Sequence, residues 1–459
     1  MRFISRLLML IALSAVIVAP RCVAQSQLAG DWQGTLKIGG SSLRLVFHIT
    51  GSQDKLTATI DSLDQGAKGI PTTSVTVSGD LLTISATSIG GEFKGKVSTD
   101  GNTIDGTWTQ GGSIPLVLGR IRGQASLAPA RRPQNPIKPY PYREENVSYI
   151  NATSGNRIAG TLTLPPGKGR FPAVLLIVGS GPHDRDESVM GHKPFLVLAD
   201  YLTRKGVVVL RSDKRGVGGS AGDLASATTA DFATDAEAGV AFLKARSEVN
   251  PRKIGLIGHS EGGVVAPMVA ARDHAVAFIV MMAGPGVPGD QITVNQTLLL
   301  SKAAGLSEEV AEKNAELERS LLALVVTEKD NAVLENDLRQ KLAGTGPPAQ
   351  INAQIKALTS PWYRYFLTYD PAIALRKVTC PVLAINGGKD LQVPPTLNLP
   401  AIRKALKEGG NKNFEVDELP GLNHLFQTAN TGSPDEYAGI EETISPVALD
   451  KIASWIHKR

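Results

Sequence analysis

The sequence is poor in cysteine and aromatic residues and close to charge balance. Cys22 and Cys380 are its only cysteines, which excludes the small disulfide-stapled scaffolds. At 459 residues the chain can build large apolar cores without such staples. Aromatics make up 5% of it, and 48 basic against 43 acidic residues leave a net charge of +5. So small an excess implies no nucleic-acid partner. The seven histidines are scattered. None forms H-E-x-x-H or pairs with cysteine at zinc spacing, so no metal site is predicted. The run Gly216-Val217-Gly218-Gly219 lacks the later Gly-Lys-Ser/Thr of a phosphate loop. No cofactor is expected. Beyond the first residues, no apolar run is long enough to span a bilayer, so no stable membrane insertion is expected.

The N-terminus carries the grammar of a secretory signal. Arg2 and Arg6 precede an apolar stretch over 7–18, and Cys22-Val23-Ala24 supplies small residues for cleavage after Ala24. Arg21 argues against a lipid-modified Cys22. The expectation is a signal peptide over 1–24 and a secreted or periplasmic mature chain. That chain keeps Cys380 alone and forms no internal disulfide.

Residues 25–121 read as all-β. Leu43, Leu45, Phe47 and Ile49 alternate with Arg44, Val46 and His48, the period of a half-buried strand. Turn signals at Gly39-Gly40, Ser52-Gln53-Asp54, Ser78-Gly79-Asp80, Gly90-Gly91 and Thr99-Asp100-Gly101 divide the segment into about eight strands. A small barrel or curled sheet fits, with Trp32 and Trp108 as core. The Gly30-Asp31-Trp32 and Gly106-Thr107-Trp108 pattern resembles small lipocalin-like or avidin-like domains. Residues 122–144 are a proline-rich linker, with the basic pair Arg131-Arg132 expected in solvent.

From residue 145 the pattern becomes α/β. Apolar runs at 173–178, 207–210, 254–257, 278–282 and 382–385 read as buried strands. Helical stretches at 194–205 and 231–245 separate the first three, which predicts a mainly parallel sheet with helices on both faces. An insertion over about 288–366 contains charged helical stretches at 307–324 and 331–342. Its place in the chain suits a cap over a pocket.

Gly258-His259-Ser260-Glu261-Gly262 follows the 254–257 run and precedes a helix start. A strand-to-helix turn this sharp needs flanking glycines and projects the serine hydroxyl at its tip. The same pattern at Gly218-Gly219-Ser220-Ala221-Gly222 follows Asp213-Lys214-Arg215 and no apolar strand, so it reads as a flexible turn. Serine needs a neutral imidazole as base and a carboxylate behind it. His424 lies in Pro420-Gly421-Leu422-Asn423-His424, just after a strand expected over 413–416. His457 stands in a helix end and is expected to be solvated. Asp390 follows the 382–386 strand in Gly387-Gly388-Lys389-Asp390. Asp370, before Pro371, is expected to cap a helix.

Together with Gly179-Ser180-Gly181-Pro182-His183-Asp184-Arg185-Asp186 and Asp213-Lys214-Arg215-Gly216-Val217-Gly218, these motifs resemble the α/β-hydrolase superfamily. The likeness covers residues 146–459. Within that superfamily the chain is similar to secreted esterases and serine aminopeptidase-like members. The resemblance implies an α/β-hydrolase fold with a helical cap, preceded here by the barrel-like domain. It also implies the chain order Ser260, Asp390, His424. The oxyanion donors it implies are the N–H groups of Glu261 and Ser180, with Gly181 next to the substrate. The loop departs from the common His-Gly pattern, carrying Val178-Gly179.

Asp184, Arg185 and Asp186 read as a loop brace and Arg215 as a structural clamp. Trp362, with Tyr363, Tyr365 and Phe366, can wall an acyl pocket or anchor the cap. The reaction expected is ester hydrolysis through an acyl-enzyme on Ser260, with a small-molecule ester as substrate. The alternatives are a serine peptidase of the aminopeptidase or prolyl-oligopeptidase-like kind acting on short peptides, and a ligand-binding protein with an idle hydrolase domain. Glu261, Asp184, Glu441 and Glu442 are the acidic groups that can hold a peptide's α-amine.

Overall fold

The computed structural model describes residues 28–38, 41–52, 55–63, 67–110, 112–121, 131–345 and 348–459. The expected leader over 1–24, the Gly39-Gly40 turn, Gln53 and Asp54, and linker residues 122–130 lie outside them.

Nine antiparallel strands form the N-terminal unit, where the turn spacing predicts about eight. They are β1 (Gly30–Ile38), β2 (Ser41–Ser52), β3 (Lys55–Ser62), β4 (Ala67–Pro71), β5 (Ser74–Ser78), β6 (Leu81–Ala86), β7 (Gly91–Val97), β8 (Thr103–Thr109) and β9 (Ser113–Arg120). Pro71 ends β4, and Thr72-Thr73 turns the chain without a glycine signal. The sheet order is β4-β3-β2-β1-β9-β8-β7-β6-β5, with β4 and β5 as its edges. Period-2 alternation turns Leu82, Ile84 and Phe93 inward with Trp32, Phe47 and Trp108. The Phe47 ring lies 5.5 Å from Phe93 and 6.0 Å from Trp108. Trp32 Nε1 donates to Leu28 O at 2.9 Å, so its polar edge is satisfied inside the core.

The described part of the linker is docked: of the basic pair expected in solvent, Arg131 is exposed but Arg132 is not. The Arg132 guanidinium donates to the carbonyls of Met190, Ala438 and Ile440 at 3.0, 2.9 and 3.1 Å. Gln134 donates to Ile444 O and accepts from the Thr443 and Ile444 N–H groups. Three carbonyls converging on one guanidinium hold it more firmly than water would.

The second unit is an eight-stranded sheet. Its strands are β10 (Arg143–Ile150), β11 (Arg157–Leu164), β12 (Phe171–Ile177), β13 (Val208–Ser212), β14 (Val249–His259), β15 (Phe278–Met282), β16 (Val382–Gly387) and β17 (Phe414–Leu419). The order is β10-β11-β13-β12-β14-β15-β16-β17, antiparallel as far as β13 and parallel beyond it. Successive residues of β12 serve opposite faces. Ala173, Leu175 and Ile177 join one core with α2 (Thr229–Lys244), α3 (Gly262–Ala270) and α10 (Pro395–Glu408). Val174 and Leu176 join another with α1 (Pro194–Arg204) and α11 (Pro446–Ile456). Burial on both faces is why these strands are continuous apolar runs.

Between β15 and β16 the insertion forms α4 (Gly289–Ala303), α5 (Glu308–Thr327), α6 (Asn331–Lys341), α7 (Pro348–Leu358) and α8 (Pro361–Thr368). It has its own apolar core around Leu321, Leu334, Leu338 and Leu367. Asp370 stands just before Pro371, the N-cap of the short α9 (Ala372–Leu375), and accepts from the Ala372 N–H at 2.9 Å. Strand order reverses at β12. The loops after β12 and β14 therefore diverge there and open a crevice at the strands' C-terminal ends. Ser180 and Ser260 stand on those two loops.

Candidate active site

The elbow holds Ser260 at φ +52°, a left-handed conformation rare for a side chain with a Cβ. Close packing dictates the glycines around it. A Cβ at Gly258 would lie 1.9 Å from Gly262 O, and one at Gly262 would lie 2.1 Å from Ile177 O. Any larger residue forces the strand, the turn and the helix apart. The Ser260 N–H donates to Met282 O at 2.9 Å, which fixes the turn to β15.

The structure brings Asp390 and His424 together. His424 Nδ1 and Asp390 Oδ2 are 2.8 Å apart, and both side chains are buried. The other carboxylate oxygen accepts from the N–H groups of Gln392 and Val393, each at 2.9 Å. Asn386 adds a long contact of 3.4 Å. The acid is thus fixed from behind, and its free edge meets the imidazole. This leaves Nε2 as the ring atom able to take a proton from a hydroxyl.

Gly179 begins the loop after β12, and its main chain is held at both its N–H and its carbonyl. Its N–H donates to Glu187 Oε1 at 2.6 Å, and its carbonyl accepts from Lys214 Nζ at 2.8 Å. The next residue is Ser180, and Gly181 follows at φ +98°. Among the described residues, neither the Ser180 nor the Glu261 N–H has an acceptor. Glu261 stands at the N-terminus of α3, where free N–H groups face outward.

The Glu261 side chain is committed elsewhere. It is 3% exposed. Its carboxylate accepts from Lys214 Nζ at 2.8 Å, Thr229 Oγ1 at 2.7 Å and Trp362 Nε1 at 2.6 Å. Trp362 lies on α8, and its ring stacks on Phe366 at 5.4 Å and 7°. The hydrogen bond anchors the cap to the residue beside Ser260. Thr229, Glu261, Val264, Val287, Phe366 and Tyr369 line a small pocket next to the elbow.

The brace and clamp are built as the charge pattern implies. Arg185 grips Asp213 through Nε at 2.9 Å and Nη2 at 2.6 Å. Asp184 accepts from the N–H groups of Asp186 and Ser188, and Asp186 pairs with Arg211 and Lys193. Arg215 binds Asp235 and Asp231. Ser220 is buried rather than flexible. Its Oγ donates to Asp213 O at 2.8 Å and accepts from the Ala159 N–H at 2.9 Å. His457 reaches the carbonyls of Ala453 and Lys205 at the helix end.

Sequence reasoning missed Glu187 and His259. His259 Nδ1 lies 3.0 Å from Glu187 Oε1, and Nε2 lies 3.0 Å from His424 O. The rings of His259 and His424 are 4.8 Å apart. Burial opposes charge on both Glu187 and His259, but each stabilises the other's ionised form, so the carboxyl is lowered and the imidazole raised. The signal was present in Gly258-His259-Ser260. An ionisable ring ending a buried strand requires buried partners. His183, beside them, is lowered chiefly by burial.

Among the described residues, no group of three metal-ligating side chains is present and no helix is long and apolar enough to cross a membrane.

Residues 154–405 match the family model of the X-Pro dipeptidyl-peptidase (S15) family. The chain is 30% identical over 325 residues to Esterase EstD of Thermotoga maritima, covering 70% of this chain and 69% of that protein. It is also 25% identical over 289 residues to an Escherichia coli uncharacterized 31.7 kDa protein from the traX-finO intergenic region, covering 61% of this chain and 90% of that one. The solved α/β hydrolase GrgF of Penicillium sp. sh18 is 19% identical, with a TM-score of 0.42, over 62% of this chain and 91% of its own.

Proposed function

From the premise that this chain belongs to the X-Pro dipeptidyl-peptidase (S15) family of α/β-hydrolases, we propose that its reaction runs on Ser260, His424 and Asp390. The enzyme is a serine hydrolase that cleaves carboxylic esters. The observation that carries the site assignment is the buried His424–Asp390 pair at 2.8 Å beside an elbow that holds Ser260 at φ +52°.

In this reading each step has a group to carry it. His424 Nε2 takes the Ser260 hydroxyl proton as Oγ attacks the ester carbonyl carbon. The carbonyl oxygen, now negative, receives the Glu261 and Ser180 N–H groups, each donor worth about 3 kcal/mol at such a site. Asp390 stabilises the imidazolium. His424 returns the proton to the departing alkoxide, which leaves an acyl-enzyme. Water then attacks that carbonyl, giving a proton to His424, and Ser260 is regenerated as the acid is released.

Ester rather than amide cleavage is supported by the state of Glu261. A peptidase that trims from the amino end needs a carboxylate for the substrate's α-amine. The carboxylate nearest the nucleophile already accepts from Lys214, Thr229 and Trp362. Export to the periplasm or medium is part of the same reading, supported by the basic and apolar pattern of residues 1–24.

The test compares a short p-nitrophenyl ester with a matched aminoacyl anilide on the purified protein. Specificity constants are divided by the uncatalysed rates. The ester is expected to win. An anilide that wins after that correction gives the site to a peptidase.

A further inference from the structure

His259 takes no part in the acyl transfer, yet it is one of the most constrained groups in the molecule. Its two ring nitrogens face oxygens that can only accept: the Glu187 carboxylate at 3.0 Å and the His424 carbonyl at 3.0 Å. A neutral imidazole carries one N–H and can satisfy only one of them. The ring satisfies both only as the imidazolium. Its counter-charge is Glu187, itself 2% exposed and held at φ +52°. Glu187 Oε1 also accepts the Gly179 N–H at 2.6 Å, while Oε2 has no hydrogen-bond partner among the described residues. One carboxylate oxygen therefore ties the start of the oxyanion loop to the residue before the nucleophile. That residue in turn ties the main chain of the base.

We propose that Glu187 and a doubly protonated His259 are positioning residues, an internal ion pair that sets the oxyanion loop, the elbow and the His424 loop in register. The proposal rests on the assignment of Ser260 and His424 to the chemistry. Near-attack geometry is sensitive to displacements of about 1 Å, which can cost roughly 100-fold in rate. The three segments come from loops after three different strands, so some group must hold them together. The positive ring also lies 4.8 Å from the His424 ring. The other groups around this pair are Asp390 on the far side of His424, His183 and Lys214 beyond Glu187, and the Tyr437 hydroxyl against the His424 main chain.

Glu187→Gln keeps the shape and an acceptor for Gly179 but removes the charge. His259 then becomes neutral in its buried setting and loses one of its two bonds. The expected result is a fall in kcat of about 10- to 100-fold with KM within twofold. His259→Gln should do the same, and serves if the first variant does not fold. In the wild-type fold, ¹⁵N spectra of the His259 ring should show both nitrogens protonated at pH 7.5. A ring with one proton at that pH, or variants with kcat unchanged, overturns the proposal. Ser260→Ala is measured alongside. If it retains turnover, the assignment of the nucleophile has failed. If it is inactive while Glu187→Gln behaves as wild type, only the positioning role has failed.

Discussion

Two segments of this chain share the pattern G-x-S-x-G, and the fold uses them in opposite ways. Ser260 ends a strand buried on both faces, and its backbone is forced to φ +52°. Ser220 lies in a loop after the short β13, and its hydroxyl is consumed by two main-chain bonds. The glycines differ as well. At Gly258 and Gly262 an added Cβ would strike backbone at 1.9 and 2.1 Å, whereas at Gly222 it would meet the side chains of Arg215 and Asn156 at 2.7 Å. After the serine, the Glu261 side chain ties the cap and Lys214 to the elbow, while Ala221 bonds through its main chain alone, to Arg157 O and the Gly216 N–H. A motif marks a site only when the fold leaves the reactive atom unspent.

The sharpest way to break the contrast is to remove each hydroxyl. Ser260→Ala should lower ester turnover by about 10⁵-fold or more, as for nucleophiles in comparable triads. Ser220→Ala should keep turnover within about threefold, yet lose about 1–3 kcal/mol of stability because it leaves the buried Ala159 N–H without its acceptor. Turnover and chemical unfolding of both variants settle it. Loss of activity at Ser220 without loss of stability would reverse the assignment.

The contrast also explains why some features are legible in the sequence and others are not. Ser260 and Asp390 each follow a buried apolar strand, and His424 follows the mixed edge strand β17, so local pattern marks the first two and chain order the third. The buried strands from β12 to β16 are visible by the same apolar pattern. The hairpin of β10 and β11 is less so, because Arg143, Glu144 and Glu145 give an edge strand the look of a linker. Glu187 is hidden among Asp184, Asp186 and Arg185. Nothing in sequence separates a carboxylate that pairs with His259, 72 positions away, from one that braces its own turn. Trp362 and Glu261 are 101 positions apart, and their bond is equally invisible. Long-range polar pairs need the folded chain to be seen. Apolar periodicity does not.

A second comparison moves from hydroxyls to glycines. Gly258→Ala places a methyl group against the Gly262 main chain, where no side-chain rotation relieves it. It should cost more than about 4 kcal/mol, in the range reserved for forced core rearrangement. Gly222→Ala meets side-chain atoms of Arg215 and Asn156 rather than backbone, on a residue at φ +105°. Its cost should be about 1–3 kcal/mol, mainly conformational. Urea midpoints at constant slope measure both. Equal costs would mean that the elbow is no tighter than the loop it is compared with.

The smallest expected effect concerns the residue after the serine in each copy. Trp362→Phe removes one donor from the Glu261 carboxylate but preserves an aromatic ring to stack on Phe366. Lys214 and Thr229 still bond Glu261, so the carboxylate is weakened rather than stranded. The loss should be about 1–2 kcal/mol, the cost of one charged hydrogen bond with partial compensation. Because the bond joins the cap to the elbow, its loss should fall on substrate retention. KM should rise by about 3- to 10-fold while kcat holds, the signature of binding energy lost equally in ground and transition states. Suppose kcat falls instead with KM unchanged. The Trp362 bond would then hold the nucleophile rather than the cap, and the tie at Glu261 would belong to the geometry of attack.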